Sequence, residues 1–256
     1  MGMRIIPIKV GNEKWGKSYF VDGAPQLPAV DIPHMMFYID GAEKKILVDC
    51  GGRDPESESG KLHSKTYTRA PEEKPDVALK RATGIDPEEI EIVILTHLHW
   101  DHCGNLHMFP NAQVYVQLDE ILDSINPIPR FYKTYESFKY GVVPPYAQQP
   151  VKWNFVQGDV DFMPGIKLIE IPGHSAGVMG VYVETDKGPY FLGSDAIPLY
   201  DNIENGEIKT SALCLSLEKA YYSAVKLNKM VKETGMIVIP GHDQKVLEHK
   251  SFPDEE

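Results

Sequence analysis

The chain has 256 residues, of which 42% are hydrophobic and 25% charged, proportions ordinary for a soluble globular protein. No apolar stretch approaches the roughly 20 residues that cross a bilayer, and the N-terminus lacks the pattern of a signal peptide. The formal charge of -11 argues against nucleic acid, since binding its phosphates draws on clustered Lys and Arg. We therefore expect one cytoplasmic domain, residues 1–256, without nucleic-acid or membrane partners.

Short apolar runs punctuated by Gly, Pro and Asp predict a series of β-strands. In chain order the runs are RIIPIKV (4–10), HMMFYID (34–40), KILVDCGG (45–52), IEIVILTH (90–97), AQVYVQ (112–117), IKLIEIPGH (166–174), GVYVET (180–185), PYFLGSD (189–195) and MIVIPGH (236–242). Between the second and third runs, GAEK (41–44) predicts a hairpin turn.

Two helical patterns interrupt the strands. DPEE predicts a short turn in which Asp86 caps the chain before Pro87, and residues 215–235 space their apolar residues at three and four before Gly235. Runs of strands separated by helices predict an α/β protein, built either as an αββα sandwich or as a doubly wound sheet.

Two stretches fit neither a strand nor a long helix. Residues 51–74 are polar, and residues 126–150 combine prolines with six aromatic residues. Loops this long in a compact domain are usually functional or disordered. We interpret the aromatic stretch 126–150 as a lid or a pocket wall; the alternative is a packed surface helix.

The densest polar motif is THLHWDHCGN, residues 96–105, which follows the apolar run 90–95. It contains His97, His99, Asp101 and His102. Buried imidazoles and carboxylates each need a partner, and a divalent metal would satisfy all four at once.

Further polar residues follow later strands. His174, Asp195 and His242 each come at the end of an apolar run. Taken singly, each is more often a turn residue or a cap, but together they predict two clusters of metal ligands. Imidazole and carboxylate ligands suit Zn²⁺ or another first-row divalent ion. The three cysteines are scattered and form no C-x-x-C pair, so neither a disulfide framework nor a thiolate site is indicated.

These motifs carry a resemblance to a known family. The H-x-H-x-D-H signature of the metallo-β-lactamase fold hydrolases matches residues 97–102, and LVDCG, PGHSAG, GSDA and PGHD follow the same order over roughly residues 30–250. Within that superfamily the chain most resembles the N-acyl-homoserine lactone lactonases. The resemblance implies an αββα sandwich of two mixed β-sheets flanked by helices.

The resemblance also implies roles for the ligand residues. One of two divalent ions, Zn²⁺ or else Mn, Fe or Co, would bind His97, His99 and His174. The other would bind Asp101, His102 and His242, and Asp195 would bridge the two. Asp49 would support the site without binding metal. The remaining histidines match no ligand position; they are His34, His63, His107 and His249.

The implied reaction is the opening of a lactone ring by a hydroxide that bridges the two metal ions. Asp101 would shuttle the proton to the leaving alkoxide. The family's tyrosine, three residues after the bridging aspartate, is replaced here by Pro198, and Tyr200 lies two residues later. We therefore keep Tyr200 as a candidate for binding the carbonyl oxygen.

Several alternatives stay open at this point. A glyoxalase II-like thioester hydrolase uses nearly the same motif, but the expected late basic residues are not identifiable in QKVLEHKSFPDEE. Pyridoxolactonase-like and phosphotriesterase-like hydrolases also share the fold. A β-lactamase would be expected to carry a signal peptide. A flavodiiron-type protein would be expected to have an acidic residue in place of His99. The expected partner is a small lactone or ester, bound by a monomer or a homodimer.

Overall fold

A computed structural model describes residues 2–254, and its strands form two mixed sheets and a short ribbon. The first sheet has the strand order β4-β1-β2-β3-β5-β6-β7 and is parallel from β3 to β7. Its strands are β1 (Arg4–Gly16), β2 (Ala29–Asp40), β3 (Ile46–Val48), β4 (Tyr67–Thr68), β5 (Ile92–Ile94), β6 (Gln113–Gln117) and β7 (Lys152–Val156).

The second sheet has the order β14-β11-β10-β9-β8, with β14 parallel to β11 and the other pairs antiparallel. The strands β12 and β13 form the separate ribbon. The bounds of these strands are β8 (Val160–Met163), β9 (Ile166–Glu170), β10 (Met179–Thr185), β11 (Gly188–Leu192), β12 (Ile203–Glu204), β13 (Glu207–Ile208) and β14 (Ile237–Ile239).

Four α-helices cover the sheets: α1 (Pro75–Thr83), α2 (Trp100–Cys103), α3 (Leu118–Ile125) and α4 (Leu217–Thr234). One apolar cluster contains α1 residues and the outer face of the first sheet, a second fills the space between the sheets, and a third joins the second sheet to α4. This layering confirms the predicted αββα sandwich. No helix within residues 2–254 is long and apolar enough to cross a membrane.

The local predictions for the hairpin and the long helix are confirmed. Strands β2 and β3 pair antiparallel across residues 41–45, where Gly41 has the φ of 81° that a tight turn requires. Helix α4 begins after Ser216, whose hydroxyl accepts a hydrogen bond from the Lys219 amide, and ends at left-handed Gly235.

Candidate metal centre

The motif residues 97–102 lie where the central strand β5 turns into the short helix α2. All three residues of β5 are buried, as expected for a strand paired in parallel on both sides. His99 is in an extended conformation immediately before α2, so His97 and His99 precede the helix. Asp101 and His102 lie in its only turn. The change from strand to helix thus separates the motif into two pairs of side chains.

The first pair is completed by His174, from the loop between β9 and β10. His97 Nε2 lies 3.0 Å from His99 Nδ1, and His174 Nε2 lies 2.9 Å from the same atom. All three histidines are buried. Their ring nitrogens lie within 4.8 Å of one another, so this group is able to hold a metal ion.

The second pair is completed by Asp195, after β11, and His242, after β14. His242 Nε2 lies 3.3 Å from His102 Nε2 and 2.8 Å from Asp195 Oδ1. Asp101 Oδ2 lies 3.5 Å from His102 Nε2 and 3.8 Å from His242 Nε2. These four side chains form a second group that could hold an ion.

Asp195 connects the two groups. Its Oδ1 lies 3.1 Å from His102 Nε2 in the second group, and its Oδ2 lies 3.2 Å from His174 Nε2 in the first. A carboxylate with one oxygen directed to each group has the geometry of a bridging ligand. All seven predicted ligands are therefore brought together.

The outer hydrogen bonds of three histidines determine which ring nitrogen carries the proton. Nδ1 of His102 lies 2.7 Å from Asp49 Oδ2, that of His174 lies 2.8 Å from the Leu213 carbonyl, and that of His242 lies 2.9 Å from the Pro33 carbonyl. Carboxylate and carbonyl oxygens only accept, so in the neutral rings Nδ1 donates and Nε2 keeps its lone pair. Several lone pairs would then face one another at contact distance, and a bound cation would resolve this conflict.

Asp49 lies behind the centre, as predicted. It has a φ of 60°, and its carboxylate accepts hydrogen bonds from the amide and hydroxyl of Thr96 and from His102 Nδ1. Asp49 belongs to neither ligand group. It therefore orients His102 and the start of the motif loop.

Burial and neighbouring charges shift the pKa values of five of these side chains. Burial and the adjacent imidazoles hold the pKa values of His97 and His99 well below the ordinary value. Burial also lowers the pKa of His102 and of His242, but Asp195 and Asp101 outweigh it and raise both. Burial opposes ionisation of Asp195, but these histidines hold its pKa well below the usual value. His97 and His99 are thus held in the neutral form, whereas the charged forms of His102 and His242 are favoured beside Asp195.

A cavity of about 240 Å³ opens onto the centre. Five of the predicted ligands line it: His99, Asp101, His174, Asp195 and His242. Its other walls are largely apolar and aromatic, and the residues that form them are Trp15, Tyr19, Phe20, Ile32, Trp100, Phe131 and Leu213.

Part of the stretch 126–150 forms one wall of this cavity. Arg130, Phe131, Lys133 and Thr134 line it, and the Phe131 ring stacks on His99 with 5.9 Å between ring centroids. Short 3-10 turns, without an α-helix or a β-strand, make up the stretch, so the alternative of a packed surface helix is wrong. Movement of the stretch as a lid stays a prediction.

Tyr200 is not brought to the cavity. Its ring packs against the apolar cluster between the sheets, its backbone amide donates to Asp243 Oδ2 at 2.8 Å, and it is absent from the cavity lining. The tyrosine that lines the cavity is Tyr19, which directly follows the long strand β1. Tyr19 belongs to no recognisable sequence motif, so sequence reasoning missed it.

Sequence reasoning also missed Glu120. The buried Glu120 carboxylate accepts hydrogen bonds from Leu98, Tyr135, Ser175 and Gly177, and so ties both ligand loops to the stretch 126–150. His63, one of the histidines that match no ligand position, lies in the polar stretch 51–74 and stacks on Trp100 with 3.7 Å between ring centroids. A single Glu on an amphipathic helix gives no signal in the sequence.

Comparisons with known proteins agree with this architecture. The family described as the Metallo-beta-lactamase superfamily matches residues 30–242. An N-acyl homoserine lactonase of Bacillus sp is 28% identical, over 84% of this chain and 82% of that protein. The lactonase AttM of Azorhizobium caulinodans is also 28% identical, over 83% of this chain and 82% of its own length.

Solved structures agree at the level of the fold. A mutant of the B. thuringiensis lactonase AiiA, with N-decanoyl-L-homoserine bound at its active site, superposes with a TM-score of 0.77 at 22% identity, covering 96% of this chain and 95% of that one. The dizinc quorum-quenching lactonase AidC gives a TM-score of 0.69 at 16% identity, covering 94% and 88%. With the family match spanning most of its length and the ligand groups in place, the chain belongs to the metallo-beta-lactamase superfamily.

Proposed function

We propose that this protein is a metal-dependent hydrolase that opens the ring of a lactone, an N-acyl-homoserine lactone or a similar compound. The observation that carries the proposal is the position of Asp195, whose two oxygens contact two separate ligand groups on the floor of one cavity. The curated relatives described above are lactonases of the same superfamily, which supports the choice of substrate.

The ligand set supports two divalent ions. His97, His99 and His174 would hold one, Asp101, His102 and His242 the other, and Asp195 both. Nitrogen and oxygen donors without thiolate favour Zn²⁺, and Mn, Fe or Co would also fit. Bound ions supply Lewis acidity, which lowers the pKa of water and polarises a carbonyl group.

Asp101 is placed to handle the proton that the reaction moves. It is the one half-buried member of the second group, and it lines the cavity, whereas the other three members are buried. A carboxylate that touches both the ligand group and the open cavity can take a proton at its oxygen and deliver it to a leaving alkoxide. Tyr200 lies outside the cavity lining, so we assign it no step.

The cavity walls position the rest of the substrate. Trp15, Tyr19, Phe20 and Ile32 form an apolar side suited to the chain of an acyl substituent. The lactone ring would then lie over the ligand groups, beside Phe131 and Trp100. The buried surroundings exclude bulk water from the reacting groups.

The test is a pH-drop assay over a panel of lactones, thioesters, phosphotriesters and β-lactams, combined with metal analysis of the purified protein. Among the uncharged compounds of this panel, we expect the highest kcat/KM for a lactone with an apolar acyl substituent. Hydroxyacyl-glutathione as the best substrate would instead establish a glyoxalase II-like thioester hydrolase and reject the lactonase assignment.

A further inference from the structure

Two cationic side chains line the cavity without a partner of opposite charge. Arg130 and Lys133 both belong to the wall stretch 126–150, and both are exposed. Within residues 2–254, neither takes part in an ion pair or in a side-chain hydrogen bond, and the Arg130 guanidinium lies over the Phe131 ring. Their charges are therefore available to a ligand in the cavity.

The backbone between these two residues is fixed relative to the metal centre. The Arg130 guanidinium carbon lies 5.9 Å from the centroid of Phe131, whose ring stacks on His99. Immediately after Lys133, the Thr134 carbonyl accepts a hydrogen bond from the Trp100 amide at 2.9 Å. Both cations thus extend from a backbone segment that is held against the motif loop, so the fold places them at the wall of the same cavity.

The carboxylates that line the same cavity are already engaged. Glu13 accepts a hydrogen bond from the Thr66 hydroxyl at 2.6 Å, and its other oxygen lies 3.4 Å from His34 Nε2. Asp101 and Asp195 belong to the second ligand group. The charge that the cavity offers to the distant part of a substrate is therefore positive, although the chain as a whole is acidic.

The geometry points to a substrate that carries an anionic group, a carboxylate or a phosphate, on the part remote from the ring that is opened. This inference rests on the proposed lactone hydrolysis and specifies its substrate class. Arg130 presents a planar pair of donors that suits an oxyanion, and Lys133 adds a second positive charge three residues later. The aromatic walls would cover the apolar segment between the anionic group and the ring.

The experiment compares two γ-lactones that have the same amide-linked chain, one ending in a carboxylate and the other in its methyl ester. With the metal-loaded protein we expect kcat/KM to be about tenfold higher for the carboxylate, the sum of two exposed charge contacts. The double variant Arg130→Gln/Lys133→Gln should lose this preference, so that the ratio of kcat/KM for the carboxylate to kcat/KM for the ester falls to about one. Lys139→Gln is the matched control, because Lys139 is exposed in the same stretch but does not line the cavity.

A second measurement separates this inference from the proposed function. Calorimetric binding of the two corresponding γ-lactams, which are not opened, should also favour the carboxylate, and 0.5 M salt should remove the preference in the wild type. Equal affinities for the two lactams, or a preference that survives in the double variant, would overturn the anionic substrate. Absence of turnover for both lactones, with the difference in lactam affinity retained, would overturn lactone hydrolysis and leave the cationic site supported.

Discussion

A hydrogen bond of the Tyr200 backbone amide fixes this residue at a position outside the cavity lining. The Tyr200 amide is bound to Asp243, and burial together with that carboxylate raises the pKa of the phenol to about 12. Its ring packs against the apolar cluster between the sheets. A side chain in this position contributes to packing and not to stabilisation of the substrate oxyanion.

We therefore expect Tyr200→Phe to leave kcat for the best lactone within about twofold of the wild-type value, because loss of a catalytic hydrogen-bond donor would cost on the order of 100-fold. Steady-state kinetics with the metal content measured in parallel checks this. A hundredfold loss of kcat with the metal content unchanged would show that the phenol reaches the substrate.

We expect Asp49 to affect metal binding through its hydrogen bond with His102. With asparagine at this position one carboxylate oxygen is replaced by an amide nitrogen, so the side chain can no longer accept from both the Thr96 amide and His102 Nδ1. We expect Asp49→Asn to weaken metal binding by about 10- to 100-fold, the usual effect of removing such a partner. Competition with a chelator measures the affinity, and Asp161→Asn, on an exposed part of β8, is the control. Unchanged affinity would mean that Asp49 only shapes the loop.

At the scale of elements, Glu120 on α3 holds three segments of the site together. Its oxygens accept from the Leu98 amide at 3.0 Å, the Tyr135 hydroxyl at 2.9 Å, the Ser175 hydroxyl at 2.7 Å and the Gly177 amide at 2.9 Å. These donors come from the motif loop, the wall stretch 126–150 and the loop that carries His174. The ligand loops are thus positioned by a carboxylate that binds no metal.

Glu120→Gln should lower the free energy of unfolding by about 3 kcal/mol, because the amide nitrogen leaves two buried donors without an acceptor. Urea unfolding measures this change. Glu88→Gln, at an exposed position, should stay within about 0.5 kcal/mol of the wild type. A loss below about 1 kcal/mol in Glu120→Gln would show that the loops do not depend on this carboxylate.

The sequence predicts the elements whose patterns are local. Strand β5, the hairpin at Gly41 and the helix α4 have a continuous apolar run, a turn signal or a cap, and all three are confirmed. Helix α3 and strands β7 and β8 went unpredicted. Every residue of β7 and β8 is half-buried or exposed, so the apolar pattern of these two strands is weak.

The same limit applies to the site. The seven predicted ligand residues follow strand ends or belong to a short motif, so the sequence alone indicates them as candidates, and the fold brings them together. The contacts of Glu120 join segments that are far apart in sequence, and such segments also form the cavity that Tyr19 and Arg130 line. No local sequence pattern indicates that these segments meet.

At the scale of the whole molecule, a buried carboxylate links stability to pH. Burial opposes ionisation of Glu13, but hydrogen bonds and the charge of His34 outweigh burial, and they lower the pKa of Glu13 from 4.5 to about 2. A carboxyl whose pKa is lower in the folded state stabilises the fold above its unfolded pKa. That stability is lost as the pH falls through the folded value.

The contribution of Glu13 is about 3 kcal/mol near neutral pH, from the size of the pKa difference. We expect the difference in unfolding free energy between metal-free wild type and Glu13→Gln to shrink by about 1 kcal/mol between pH 6 and pH 4. Urea unfolding at both pH values measures it. A difference that stays constant or grows toward pH 4 would contradict the lowered pKa.

The proposed lactone hydrolysis requires two metal ions that Asp195 would join. The most direct test is a titration of metal-depleted protein with Zn²⁺ while lactone hydrolysis is followed. We predict that activity is absent at the start and reaches its plateau at about two ions per chain, since two ligand groups share one carboxylate. Full activity in the metal-free protein would contradict a metal-dependent reaction, and a plateau at a single ion would contradict a centre of two ions.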